Sequence, residues 1–338
     1  MDNLLQKLYK NWDHFQLSTT ADNVKIPTAS RNPLTVVVCV SGGSDSVALL
    51  HLLQRQRTLL NLELHILYLN HQLREEASQE QDFVQSLADL YKIPFHHKTA
   101  KHLKSGQSAL QESAREWRIE ESRKLLKHLG GGRIATGHQA DDQIETLLLK
   151  WLRGTHISNL QGMQWKNESF IRPLLNCRKI ELKEYLKTKQ LKWMEDTSNM
   201  STAYMRNRVR IELIPLLDEL TRHGLHSRIN DLSEQSRLLR DFLDSDYENW
   251  QQSLKNTADN SQDVLPVKVL EQANDLLQQE ILHNFITART GKALSYRKLQ
   301  SIFIQLHTGS NHWEMHLSQE WKIRKSGKEL CLQQNQVQ

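Results

Sequence analysis

A parallel α/β sheet flanked by helices, followed by a helical arm and a small α+β domain, is the fold class this sequence predicts. Three observations carry it. Val36 to Val40 is a run of four valines and Cys39, short and apolar enough for a strand buried on both faces. It runs directly into Ser41-Gly42-Gly43-Ser44-Asp45-Ser46, where paired glycines let the chain turn, and then into an apolar helix from Val47 to Leu53. From there to about residue 154, strand-like and helix-like segments alternate, the pattern of a parallel sheet with ligands beyond the carboxyl ends of its strands.

Before the first strand, Leu4 to Phe15 reads as a short amphipathic helix, and a polar lead-in extends to residue 33. No chemistry attaches to either. Leu64 to Leu69 is the second strand, ending in Asn70-His71-Gln72-Leu73-Arg74; Ser78 to Tyr91 is a helix with Phe83, Leu87 and Leu90 on one face, and Pro94 to Lys98 a third strand. Residues 107–128 form the next helix, with Arg115 and Arg118 on neighbouring azimuths, either a salt-bridged surface face or a place for an anion. Gly130-Gly131-Gly132 closes it, and Arg133 to Thr136 is a short strand. Further on, Arg178 to Leu186 is an amphipathic helix, Ile211 to about Trp250 a polar helical arm, and Asn256 to Gln262 the clearest linker. The last segment begins near Val264. Its helical faces carry Val267, Leu270 and Ile281, then Leu299, Ile302 and Leu306; a β-ribbon follows, from Trp313 to Leu317 and Trp321 to Arg324, with Cys331 opposite and a turn at Ser326-Gly327.

Composition narrows the function classes. The 338 residues carry ordinary charge and little glycine or proline, as a structured, helix-rich protein does. The net charge of +5 is concentrated: residues 172–210 hold ten Lys or Arg against four Asp or Glu, whereas residues 263–338 hold nine against seven. A polyanionic partner is compatible with the first segment, and composition alone does not show RNA binding in the second. Cys39, Cys177 and Cys331 are scattered and odd in number, which argues against a disulfide framework or a zinc knuckle. No apolar run reaches membrane-spanning length and the start lacks a signal pattern, so the cytoplasm is the expected compartment, with no membrane partner.

The glycine turn at 41–46 is not a Walker A loop, which needs a lysine after the glycines, nor a dinucleotide fingerprint, whose glycines are spaced. Strand, turn and helix start together aim free N–H groups and a helix dipole at one point, a site for phosphate. The plainer reading makes Ser44 or Asp45 a simple helix cap. A second block, Thr136 to Gly154, places His138, Asp141, Asp142 and Glu145 within roughly 100° on a helix, with Ile144, Leu147, Leu148 and Trp151 opposite. Three crowded carboxylates call for a cation: Mg²⁺, a substrate ammonium and nearby arginines are candidates, against a solvated acidic helix start.

Several segments then match one family in order and spacing. Ser41 to Ser46 resembles the pyrophosphate loop of the N-type ATP pyrophosphatases. Together with L-N-H-Q-L-R at 69–74, E-S-A-R at 112–115, T-G-H-Q-A-D-D-Q-I-E-T at 136–146, L-R-G at 152–154, L-Q-G-M at 160–163, I-R-P-L-L at 171–175, E-D-T-S-N at 195–199 and R-N-R-V-R at 206–210, it resembles the tRNA(Ile)-lysidine synthetases. One departure is Asn70, where family members commonly carry an aspartate.

The resemblance implies an adenine nucleotide alpha hydrolase-like fold and a two-step reaction. ATP would adenylate the wobble cytidine of tRNA(Ile) with a CAU anticodon, releasing pyrophosphate, and the amine of free L-lysine would displace AMP to leave lysidine. It implies that Ser41, Gly42, Gly43, Ser44 and Ser46 hold ATP, that Asp45 orients Mg²⁺, and that Arg115 neutralises the α-phosphate. His138 would contact phosphate or manage a proton, Asp142 and Glu145 would grip the lysine, and Asn70, with the Tyr68 to Asn70 backbone, would line the adenine pocket. Arg206, Arg208 and Arg210 would pair with tRNA phosphates or with ATP. The implied organisation is an N-terminal extension (1–33), a PP-loop ATP pyrophosphatase catalytic domain (34–215), a helical arm and linker (216–262) and a small tRNA-binding domain (263–338). A homodimer is compatible with this reading. Competing readings are another enzyme with the same loop, such as a tRNA thiolase or an amide-forming synthetase, and a non-catalytic nucleotide-regulated RNA-binding module. The scattered cysteines count against the thiolase, the lack of a glutaminase segment against the synthetase, and carboxylates in the path of RNA against the passive module.

Overall fold

Val36, Val37 and Val38 have no solvent-exposed surface, as a strand covered on both faces requires. They lie at the centre of a six-stranded sheet in the computed structural model, which describes residues 3–18, 32–70, 77–100, 110–195, 205–255, 264–291 and 294–335. The expected motif residues 71–74 and 196–199, the linker at 256–262 and the side chain of Glu112 lie outside the described residues. The chain divides into two units, Met1–Thr146 with Gly162–His226, and Leu147–Gln161 with Ser227–Gln338.

The first unit contains α1 (Asn3–His14), β1 (Leu34–Cys39), α2 (Ser44–Gln56), β2 (Leu62–Asn70), α3 (Ala77–Tyr91), β3 (Phe95–Thr99), α4 (Leu110–His128), β4 (Arg133–Ala135), the start of α5 (Ala140–Leu152), β5 (Lys166–Asn167), β6 (Phe170–Ile171), α6 (Lys179–Thr188), α7 (Met205–Arg208) and α8 (Ile214–Leu220). The strand order is β3-β2-β1-β4-β6-β5, with every pairing parallel except β5 to β6. This order decides where a ligand sits. The chain leaves β1 toward β2 and β3, then crosses back to place β4 on the other side of β1. The sheet therefore has its topological switch point between β1 and β4, and the loops after those two strands flank one crevice. One loop is Val40 to Gly43 and the other Thr136 to Gln139.

Leu8 of α1, Leu49 and Leu53 of α2, Val84 of α3 and Leu182 of α6 are fully buried in one core with Val36, Val38 and Ile66 of the sheet. On the other side Leu126 of α4 packs with Val37, Leu67 and Ile134. Each such side chain contributes about 1.5–3 kcal/mol by leaving water. The expected amphipathic first helix is therefore built into this core; Asn11 also donates to the Pro173 carbonyl at 3.0 Å and exchanges hydrogen bonds with Asn176.

Two expectations about α5 need correction. His138 precedes the helix, which starts at Ala140, so it does not share a helical face with the three acids. Trp151, expected on the buried side, is 64 % exposed. Periodicity identified the side of the helix, but nothing covers that side in its last turn. The polar arm is also interrupted. After a single π turn at Val209–Leu213 and α8, Arg222 and His223 take positive φ, and a new helix starts at Leu225.

The second unit contains α9 (Leu225–Lys255), β7 (Val264–Pro266), α10 (Val267–Leu270), α11 (Asp275–Thr290), α12 (Tyr296–Thr308), β8 (His312–His316), β9 (Trp321–Ser326) and β10 (Glu329–Gln334). The ribbon is a four-stranded antiparallel sheet, β7-β10-β9-β8. Cys331 faces Arg324 across the hairpin, whose turn has Gly327 at φ +62°. Its extra edge, β7, is three residues long and gives no alternating pattern to read. Leu270, Ile281, Ile302, Ile323 and Leu330 form a separate core.

Candidate active site

The turn after β1 is held by its own hydroxyls. Ser46 Oγ, one residue into the helix from Asp45, donates to the Gly43 carbonyl at 2.9 Å and accepts from the Ser41 amide at 3.2 Å. Gly42 takes φ +87°, which favours glycine, and its carbonyl accepts from the Met194 amide at 2.9 Å. Gly43, extended at φ −71° and ψ 159°, is the N-cap residue of α2, and no side chain caps that helix. The N–H groups at the start of α2 thus surround a concave turn, as phosphate binding needs. The plainer cap reading does not describe it: Ser44 Oγ instead donates to Asp45 Oδ1 at 3.1 Å.

Gly137 brings the second loop against this turn. A Cβ placed on it would lie 3.1 Å from the Asp45 carbonyl and the Ser46 amide nitrogen. Those are backbone atoms and cannot swing aside. Gly137→Ala is expected to push the two loops apart, lowering stability by about 1–3 kcal/mol and weakening nucleotide binding more than that loss explains; urea denaturation beside ATP titration measures both.

Beyond Gly137 the site is basic. His138 Nδ1 shares a hydrogen bond with Thr136 Oγ1 at 2.9 Å. Burial, and then Arg172, Arg206, Arg115 and Arg118, push the imidazole down to about 3. Four guanidinium groups from α4, α7 and the loop after β6 therefore converge around a neutral histidine. With those arginines around it, His138 stays neutral and serves as a hydrogen-bonding group. Partial desolvation, with Arg115 and Arg206 nearby, lowers Arg118, and burial together with Arg115 lowers Arg172. Arg172 Nη1 donates to the Gln164 carbonyl at 2.7 Å, whereas its Nε is buried without a partner. Converging cations with an unmatched buried donor fit a phosphate group.

The acids lie against the same turn. Glu145 is 1 % exposed and accepts from Arg206 Nε at 2.8 Å and Arg210 Nη2 at 3.0 Å. The π turn brings Arg206 and Arg210 onto this one carboxylate, while Arg208 turns out to Glu212. Asp142 has weaker company. Its Oδ2 accepts from the Gln139 amide at 3.0 Å, and Arg210 and Arg206 stand 3.7 and 3.9 Å from its Oδ1. Burial, then Glu145 and Asp45, raise it to about 6. Asp45 is likewise raised by burial, with Asp141 adding repulsion and Lys179 and Arg210 opposing it. Asp141 is different: burial is outweighed by His226, whose Nε2 stands 3.3 Å from Oδ1, and by the hydrogen bond from the Lys179 amide at 2.8 Å, so it falls below the usual range and ties α5 to the start of α6. Arginines, one of the three cations the sequence allowed, face Asp142 and Glu145.

Among the described residues no three metal-ligating side chains gather. Asp45, raised by burial and by Asp141, is an acceptor on the PP-loop whose charge a hard cation would relieve.

Residues 16–217 match the family model of the PP-loop domain. The chain is 35 % identical over 213 residues to a tRNA(Ile)-lysidine synthase of Chlorobaculum tepidum, covering 62 % of this chain and 64 % of the relative. It is 30 % identical over 316 residues to one of Enterococcus faecalis, covering 90 % and 67 %. The chain belongs to the tRNA(Ile)-lysidine synthase family of PP-loop proteins. The matches span about half to two thirds of the length of these curated relatives. The U34-tRNA thiolase NcsA from Methanococcus maripaludis, 15 % identical, shares the fold with a TM-score of 0.54 over 70 % of this chain and 78 % of that one.

Against the expectations for a member of this family, the PP-loop residues Ser41 to Ser46, Arg115, His138, Asp142 and Glu145 are all in the first unit and are linked by the contacts and fields above. Asn70 closes β2, the strand beside β1, opposite Thr99, its carbonyl accepting from the Ala100 amide at 2.9 Å. Tyr68 is buried with its hydroxyl donating to Glu80 at 3.2 Å. Arg118 and Arg172 had no assigned role. The first was readable as surface charge; the second lay in I-R-P-L-L with nothing to say where that arginine folds.

Proposed function

We propose that the chain ligates lysine to the wobble cytidine of a tRNA(Ile) with a CAU anticodon, through an adenylated cytidine. The observation that supports this reading best is that the PP-loop, the arginines around His138 and the carboxylates Asp142 and Glu145 lie together in one unit, with Glu145 and then Asp45 raising Asp142.

The first step needs stabilisation of phosphate charge. Ser41 to Ser46 cradle the departing pyrophosphate through the free N–H groups of α2, and Arg115, Arg118 and Arg172 surround the α-phosphate. The cytosine oxygen attacks the α-phosphorus, a P–O bond forms, and the bond to pyrophosphate breaks. Asp45 would hold Mg²⁺, which supplies neutralisation of the phosphate oxygens when bound. His138, kept neutral, hydrogen-bonds the phosphate. In the second step the lysine ε-amine forms a C–N bond at the activated ring carbon, and the C–O bond to AMP breaks. Asp142 receives the lysine, with Glu145 beside it holding Arg206 and Arg210 in place. Glu145 is engaged by two arginines, so Asp142 is the carboxylate with acceptor capacity to take the ammonium and receive its proton.

The raised Asp142 gives a pH prediction. In the folded chain it holds its proton up to about 6; unfolded, it releases it near the ordinary carboxylate range. Its contribution to stability is thus complete at low pH and is lost as pH rises through about 6. Function runs the other way, because only the carboxylate binds an ammonium. The KM for lysine should rise as pH falls through this window, and Asp142→Asn should raise KM and flatten that limb.

A thiolase reading fares worse. Burial pushes the Cys39 thiol up to about 11 and the Cys177 thiol up to about 12, unfavourable for a thiolate nucleophile. Incubation with ATP, labelled lysine and bulk tRNA tests the proposal: lysine entering tRNA with AMP release supports it, and pyrophosphate release without lysine uptake overturns it.

A further inference from the structure

The second unit holds a cleft of about 350 Å³ that the proposed reaction does not use. Its walls are the Arg153 to His156 turn, the face of α11 with Gln279 and His283, and the start of α12 at Tyr296. The volume suits a small organic group.

Its chemistry is specific. The rings of His156 and Tyr296 meet with centroids 5.5 Å apart and planes tilted by 37°, forming an aromatic corner. Both rings are held in place. His156 Nδ1 bonds Ser158 Oγ at 2.8 Å, and Gln300 Nε2 bonds both the Tyr296 hydroxyl at 2.8 Å and Gln279 Oε1 at 2.9 Å. Tyr296 nevertheless keeps 43 % of its surface exposed. Deeper in, His283 Nδ1 is buried without a hydrogen-bond partner, an unmet group at the wall of a cavity. The acidic wall residue Glu280 is paired with Arg240 at 2.8 Å, so the cleft does not present a bare negative charge. Exposed Arg153 lies at the lining, and Arg297 and Lys298 follow Tyr296 at the start of α12.

We propose that this cleft takes one unpaired nucleotide of the bound RNA, its base on Tyr296 and His156 and its phosphate on Arg153. An exposed aromatic ring beside a cationic side chain is how proteins hold single-stranded nucleic acid, since every base has a face to stack. The Leu152-Arg153-Gly154 motif, which the catalytic reading leaves without a task, then has one: Gly154, at φ +75°, turns the chain so that Arg153 and His156 line the same cleft. The inference rests on the reading that RNA is the substrate.

The test is filter binding of the full chain to an unmodified tRNA transcript over a range of salt. Tyr296→Ala should weaken binding about tenfold without changing the salt dependence. Tyr296→Phe should stay within about twofold of the parent. Arg153→Gln should lower the salt slope by about one. Ultraviolet cross-linking of the unaltered chain, read by mass spectrometry, should place RNA adducts on residues 153–159 or 276–299, independently of how any variant folds. A folded Tyr296→Ala protein that binds like the parent, adducts that map only elsewhere, or labelled ATP cross-linking to the cleft in place of RNA would each overturn the assignment. If the parent binds no tRNA, the proposed function falls with it; if the parent binds and only the cleft variants are silent, the cleft proposal falls alone.

Discussion

Asp45→Ala is expected to cut tRNA-dependent AMP formation by about three orders of magnitude while leaving the fold as stable as before. The two halves have one cause. Partial burial and the neighbouring Asp141 raise Asp45 above the usual carboxylate range, so its charge is unfavourable there. Deleting it relieves repulsion, so folding loses little. The proposed Mg²⁺-nucleotide would need that same charge, and no other carboxylate lies on the PP-loop. AMP release and the urea midpoint, measured together, separate this outcome from simple unfolding. Activity within tenfold of the parent would remove Asp45 from the reaction.

Glu145→Gln should cost about 2–3 kcal/mol of stability and lose lysine transfer more than adenylation. Arg206 Nε and Arg210 Nη2 are spent on this one carboxylate. Without its charge, two guanidinium groups face a neutral amide in a buried place. Their side chains keep 42 % and 30 % exposure and can turn toward water, which holds the loss to the lower range for a broken buried pair. Freed, they also crowd Asp142 and compete with the lysine ammonium. Urea denaturation gives the first quantity; burst release of pyrophosphate against labelled lysine uptake gives the second. Equal loss of both steps would count against a role for Glu145 at the lysine.

What could be read from the sequence was whatever local pattern determines. The valine run from Val36, the glycine turn and the spacing of Leu64 to Leu69 each carry their own periodicity, and they place the parallel sheet with its PP-loop. The acids of α5 were visible for the same reason. Their partners were not. Arg206 and Arg210 lie 61 and 65 residues beyond Glu145, and no periodicity links positions that far apart. His138 shows the limit most plainly. A lone histidine in sequence has a pKa near neutrality, and only the convergence of Arg115, Arg118, Arg172 and Arg206 drives it down to about 3. Trp151 marks the converse case, where helical spacing names a face but cannot say whether anything packs on it.

The proposed reaction needs one crevice, between the ends of β1 and β4, to hold both reactants of its second step. A crystal structure of the chain with a non-hydrolysable ATP analogue and L-lysine tests it most directly. The account predicts the α-phosphate among Arg115, Arg118 and Arg172, and the lysine ammonium within hydrogen-bond distance of Asp142. A nucleotide seated away from Ser41 to Ser46, or a lysine bound out of reach of its α-phosphate, would contradict it.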